Sequence, residues 1–135
     1  MNKNKAKILF SVIGVLISSL SCAGSFSTAN IDSAWMATDE SGNTPTAVFS
    51  QDAVFFAMVD LKNASDETKL KAVWTAVDAE DTDPNFVITE TEFTSGDGLI
   101  HFQLENTDFL WPIGQYKVDI YLNDALDQTL TFSVQ

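Results

Sequence analysis

Few side chains in this sequence could perform chemistry. It contains one histidine, one cysteine and no arginine, set against 19 acidic residues. His101 lies in the alternating run 99–104, opposite Ile100 and Phe102, so period two sends it outward. A Ser–His–Asp triad would need a nucleophile elbow and an oxyanion loop rich in glycine, and neither motif accompanies it. The carboxylates gather in Asp78-Ala-Glu80-Asp81-Thr-Asp83-Pro-Asn85. Counted from Asp81, oxygen ligands recur at Asp81, Asp83 and Asn85, and Glu92 takes the twelfth place of an EF-hand loop. Phe86 takes the sixth place, where the turn requires Gly, and residues 86–93 alternate like a strand. The EF-hand is therefore excluded. A looser Ca²⁺ site from Asp78, Glu80, Asp81 and Asp83 stands beside the plainer reading of a solvated, self-repelling turn. No other cofactor is implied.

Charge narrows the classes further. The formal net charge is −12, and three of the seven basic residues are Lys3, Lys5 and Lys7. Past that start only Lys62, Lys69, Lys71 and Lys117 remain. Such a body repels a phosphate backbone, which excludes nucleic acid as a partner, and it repels anionic lipid as well. An acidic surface suits high salt or a basic partner. With 19% charged residues, general solubility is the default reading.

The elements that would carry any site begin with an address. Residues 1–7 are polar and positive, and 8–20 are almost wholly apolar. As a helix that run reaches about 20 Å, short of the ~30 Å hydrocarbon core. It reads as a secretory signal peptide over residues 1–21. Leu20-Ser21-Cys22-Ala23 resembles the lipobox of bacterial lipoproteins, with Ser19 departing from the preferred aliphatic residue. The resemblance implies lipid on the Cys22 sulfur, an envelope location and membrane contact through the lipid alone. Cleavage after Ala23, giving a soluble periplasmic or secreted protein, is the alternative. Residues 22–30 are small and polar and read as a flexible tether.

Residues 31–135 read as one all-β domain. Period-two alternation recurs over 31–37, 70–77, 86–93, 99–104, 116–122 and 126–134, and 53–61 is apolar on both faces like an interior strand. Leu126, Leu130, Phe132 and Val134 are expected on one face. Asn123-Asp124 is expected as a tight hairpin turn. Seven short strands at this spacing make a two-sheet sandwich. Trp111-Pro-Ile-Gly-Gln-Tyr116-Lys-Val-Asp-Ile-Tyr resembles the corner and following strand of immunoglobulin-like and fibronectin-type sandwiches, without the cysteine pair of antibody domains. That likeness implies structural roles for Trp74, Trp111, Gly114 and Tyr116, with the Tyr116 hydroxyl bonded back to the corner. It is silent on activity.

With Tyr116, Val118 and Ile120 inward, Lys117, Asp119 and Tyr121 should face out, beside Val73, Thr75 and Val77. This gives an expected binding patch of Val73, Val77 and Tyr121 edged by Thr75, Lys117 and Asp119. The reading is a non-catalytic module binding an envelope or extracellular protein. A Ca²⁺-binding, structural or inhibitor-like envelope module is one alternative, and an envelope enzyme, or an accessory to one, with its site in the loops is the other. Replacing Cys22 with Ala should abolish incorporation of labelled fatty acid and release the exported protein from membranes; a wild type that takes up no label returns the chain to simple secretion.

Overall fold

The computed structural model describes residues 27–135; the segment read as a signal peptide, Cys22 and the first part of the expected tether lie outside them. The described residues form eight strands and no helix: β1 Asn30–Ala37, β2 Val48–Phe49, β3 Phe55–Lys62, β4 Thr68–Ala79, β5 Phe86–Ser95, β6 Gly98–Leu104, β7 Gly114–Leu122 and β8 Ala125–Val134. They build a three-stranded sheet ordered β1-β3-β6 and a five-stranded sheet ordered β2-β8-β7-β4-β5. The expected two-sheet sandwich is therefore present, with one short strand more than the seven expected. β2 holds only two residues, too few for alternation to register, and pairs in parallel with the end of β8.

The faces follow from composition. β3 is the centre of its sheet, and Phe55, Ala57, Val59 and Leu61 enter the core. Its other face would expose Met58, but Trp35 and the turn at Gly42 cover it; a Cβ at Gly42 would press on the Met58 side chain at 3.0 Å. From the large sheet come Leu70, Ala72, Trp74 and Ala76 on β4, Tyr116, Val118 and Ile120 on β7, and Phe132 and Val134 on β8. Phe55 sits between the layers, with ring centroids 4.7 Å from Trp111, 4.8 Å from Phe132 and 5.0 Å from Phe49.

One face assignment is corrected. Leu126 does not join Leu130, Phe132 and Val134: it is 56% exposed. A register shift lets Ile120 pair Gln128 while Tyr121 pairs Leu126, so Asp127 is an extra residue that reverses the alternation. The turn before it is as expected, with Asn123 and Asp124 at φ 48° and 72°, the left-handed pair a two-residue hairpin requires.

All the antiparallel strands run between two ends. The proximal end holds Asn30, the loops at 63–67 and 96–97, and the β7–β8 turn. Strand β1 begins at Asn30, inside the expected tether, and Thr28 donates its hydroxyl to the Asn63 carbonyl at 3.1 Å. The distal end holds the loops at 38–47, 50–54, 80–85 and 105–113. The 12 residues of β4 put the ends about 40 Å apart. Trp74→Ala and Phe132→Ala should each cost about 3–5 kcal/mol by opening cavities between the layers. Leu126→Ser should stay within about 0.5 kcal/mol. Equilibrium denaturation measures all three, and a large loss at Leu126 would overturn the register.

Candidate functional site

The patch expected on the outer face of β4 and β7 is only partly open. Thr75 and Asp119 are buried, at 4% and 9% exposure, while Val73, Val77, Lys117 and Tyr121 are half-buried. Both strands lie inside the sheet, so a short side chain on either is shaded from two sides. Thr75 sits between Val87 on β5 and Lys117 on β7. Asp119 accepts a hydrogen bond from the Thr129 hydroxyl at 2.7 Å and pairs with Lys117 at 3.3 Å. The Lys71 ammonium lies 4.6 Å above the Tyr121 ring. This face is a polar grid whose charges already have partners. Lys69 is similarly engaged: the Asp124 carboxylate, with Glu92 adding to it, raises its pKa.

The other candidates are scattered. His101 is on the outer face of the small sheet, as expected, half-buried, with Nε2 3.8 Å from Glu40. Asp78 lies on β4, while Glu80, Asp81 and Asp83 stand exposed around the β4–β5 turn. That turn is closed by its own backbone, Thr82 donating to Ala79 and Asn85 to Val77, with Asp81 and Asn85 at positive φ. Among the described residues no three or more His, Cys, Asp or Glu side chains converge on a point that could hold a metal. Asp39 is spent on its own loop, accepting from the Ser41 hydroxyl and the amides of Asn43 and Thr44. These bonds, the Ser41 bond foremost, lower its pKa.

The large exposed apolar residues concentrate instead at the distal end. Phe109 is 73% exposed, and Phe86, Val87, Leu110 and Ile113 are exposed beside it in sequence or across the β4–β5 and β6–β7 loops. Behind them is a cavity of about 180 Å³, lined by Phe86 and Ile88 of β5, Phe109, Trp111 and Pro112 of the β6–β7 loop, and Tyr116, among others. A bulge creates part of this wall. Thr75 pairs Val87 while Trp74 pairs Thr89, so Ile88 is extra and packs against the core.

The loop that forms the other wall is held firmly. Asn106 Oδ1 accepts from the amides of Asp108 and Phe109. Trp111 Nε1 donates to the Ala53 carbonyl at 2.9 Å, and the Trp111 amide donates to Gln51 at 2.8 Å. The Tyr116 hydroxyl donates to the Pro112 carbonyl at 2.6 Å, the corner bond expected from the motif. Gly114 permits the close approach of β4: a Cβ there would collide with the Asp78 carbonyl and the Ala79 backbone. Phe109 and Leu110 escaped the reading of the sequence. Their signal is an apolar pair stranded between Asp108 and Trp111-Pro112, outside any alternating run.

No family model matches the chain, and no curated protein does either. Among solved structures it is similar to an immunoglobulin-like protein of Pseudomonas aeruginosa, at 16% identity and TM-score 0.55, over 83% of this chain and 100% of that one. It is also similar to part of a Pseudomonas fluorescens alkylpurine DNA glycosylase bound to DNA containing an abasic site analogue. That match has 14% identity and TM-score 0.52, and covers 87% of this chain and 33% of that one. At such identities the likeness shows the fold, an immunoglobulin-like sandwich, and nothing of activity.

Burial pushes the Tyr116 hydroxyl up to about 12 from its ordinary 10. The raised value means that stability is intact below pH 10 and falls as pH rises to 12, because the unfolded state ionises first. Tyr116→Phe should cost about 1 kcal/mol at neutral pH and escape this fall. Denaturation of both proteins across pH 7–12 should show the gap between them closing above pH 10; parallel curves would remove the buried corner hydroxyl.

Proposed function

We propose that this chain is a non-catalytic binding module, tethered to the bacterial envelope through lipid on Cys22, that recognises a partner protein with its distal loops. The carrying observation is the separation of the two ends. The chain enters the domain at the proximal end, where Ser27 accepts from Asn123 and Thr28 bonds Asn63. Phe86, Val87, Phe109, Leu110 and Ile113 are exposed at the opposite end. A proximal anchor holds the domain with those residues directed away from the membrane. Exposed apolar residues grouped on a rigid support favour a protein–protein contact. The β6–β7 loop is such a support, because its hydrogen bonds are satisfied and its ordering is already complete before any partner arrives.

A binding role also agrees with the chemistry of the surface. His101 faces Glu40 on the small sheet and does not line the cavity behind Phe109; Ser41, which shares a surface hollow with it, donates its hydroxyl to Asp39 instead. The experiment is photo-crosslinking in cells, with a photoreactive residue placed at Phe109, Tyr121 or Leu126 in turn. A partner adduct is expected from Phe109 and none from Leu126. An adduct from Tyr121 alone would return recognition to the sheet face, and no adduct from any position would remove the binding reading.

A further inference from the structure

The apolar cleft behind Phe109 carries the proposed recognition one step further. Its volume is about 180 Å³. An apolar protein cavity of about 150 Å³ is enough to admit benzene. The cleft therefore fits one aromatic ring or one branched aliphatic side chain, and is too small for a cofactor. Most of its few polar groups are already used, the Thr82 hydroxyl on the Glu80 carbonyl among them. The Tyr116 hydroxyl is committed to Pro112, and Asn106 Oδ1 to the amides of its own loop. What enters must be apolar at its tip.

Charge decides what surrounds that tip. Glu80, Asp81 and Asp83 flank Thr82 on one wall, and Glu105 and Asp108 flank Asn106 on the other. All five carboxylates are exposed. Neither loop contains a lysine. Lys62, Lys69 and Lys71 belong to the proximal halves of their strands, and Lys117 is paired with Asp119. An anionic lipid surface or an acidic segment would be repelled from this rim, whereas Lys or Arg beside the apolar anchor would be attracted from several directions.

Resting on the reading of the distal loops as the recognition surface, we infer that the cleft takes one apolar side chain from a cationic segment of the partner protein. The test uses the chain exported as its Cys22→Ala variant and the capped peptide Lys-Lys-Phe-Lys-Lys. Two control peptides replace the lysines by Glu or the Phe by Ala. Amide chemical shifts of Ile88, Asn106 and Phe109 and the indole N–H of Trp111 report occupancy. Binding should be about tenfold weaker with Glu flanks, an electrostatic difference that added salt shrinks. It should be about fivefold weaker without the Phe. Glu80→Gln with Asp83→Gln should reduce the preference for lysine, and Phe109→Ser should weaken binding while the shifts of the proximal end stay in place. Leu126→Ser should change nothing.

Equal binding of the Lys-flanked and Glu-flanked peptides overturns the cationic assignment. Shifts confined to other surfaces, or none at all, overturn the cleft as the anchor site. Either failure together with a Phe109 adduct in cells leaves the binding module standing. Absence of that adduct removes the underlying reading, and this proposal with it.

Discussion

The ring of Phe55 is the contact on which the rest of the molecule depends. It is fully buried and reaches from the small sheet to every part of the large one that matters. Its ring centroid lies 6.3 Å from Trp74 on β4, 5.9 Å from Tyr116 on β7 and 4.8 Å from Phe132 on β8. It also stacks on Trp111 of the β6–β7 loop at 4.7 Å and meets Phe49 of β2 edge-on at 5.0 Å. Aromatic pairs at such distances add about 0.5–1.5 kcal/mol each beyond the area they bury. With one cysteine in the chain no internal disulfide can share this role. The consequence reaches the surface: because Trp111 belongs to the core, the loop that carries Phe109 and Leu110 cannot drift without disturbing the sandwich.

The cleft follows from a mismatch between the layers. Five strands face three, so the large sheet extends past the small one along β5. Thr89 and Thr91, paired with core residues Trp74 and Ala72, are exposed there because no strand lies over them. At the proximal end the gap is closed by Phe93, whose ring lies 5.0 Å from Phe102 of β6. At the distal end the β6–β7 loop must fill the same space. It does so with Trp111 and Pro112 and leaves the room between Phe109 and Ile88. An edge strand is also a liability for uncontrolled pairing. Glu90 and Glu92 on the exposed face of β5, together with the bulge at Ile88, discourage it.

What the sequence disclosed, and what it hid, divides along one physical line. Alternation over 116–122 is unbroken until its last residues, so the inward set Tyr116, Val118 and Ile120 was legible. The Tyr116 corner and the Asn123-Asp124 turn were legible because each depends on residue types a few positions apart. Bulges were not. An extra residue at Asp127 or Ile88 leaves the local composition unchanged and reverses everything beyond it, and only the partner strand reveals it. Burial of Thr75 and Asp119 depends likewise on neighbours distant in the chain. The cleft is the extreme case, since its walls come from residues 76–88 and 106–116 and meet only after both layers have formed. The candidate site was therefore far less legible than the fold.

An exposed group of aromatic and aliphatic side chains would ordinarily invite association between copies. Here the same loops that display Phe86, Phe109 and Leu110 carry Glu80, Asp81, Asp83, Glu105 and Asp108. Two copies meeting distal end to distal end would bring ten carboxylates together across an apolar contact that expels water. Like charges in such a setting cost several kcal/mol, more than the burial of a few half-exposed rings returns in full once orientation is lost. A partner with the opposite charge faces no such barrier, and its approach is accelerated by the field that repels a second copy. On the proposed reading the acidic loops act as a filter, discouraging contact between copies and leaving the apolar surface to a partner of opposite charge. On that reading the −12 charge of the chain has a specific use at the distal end, where carboxylates and exposed rings coincide.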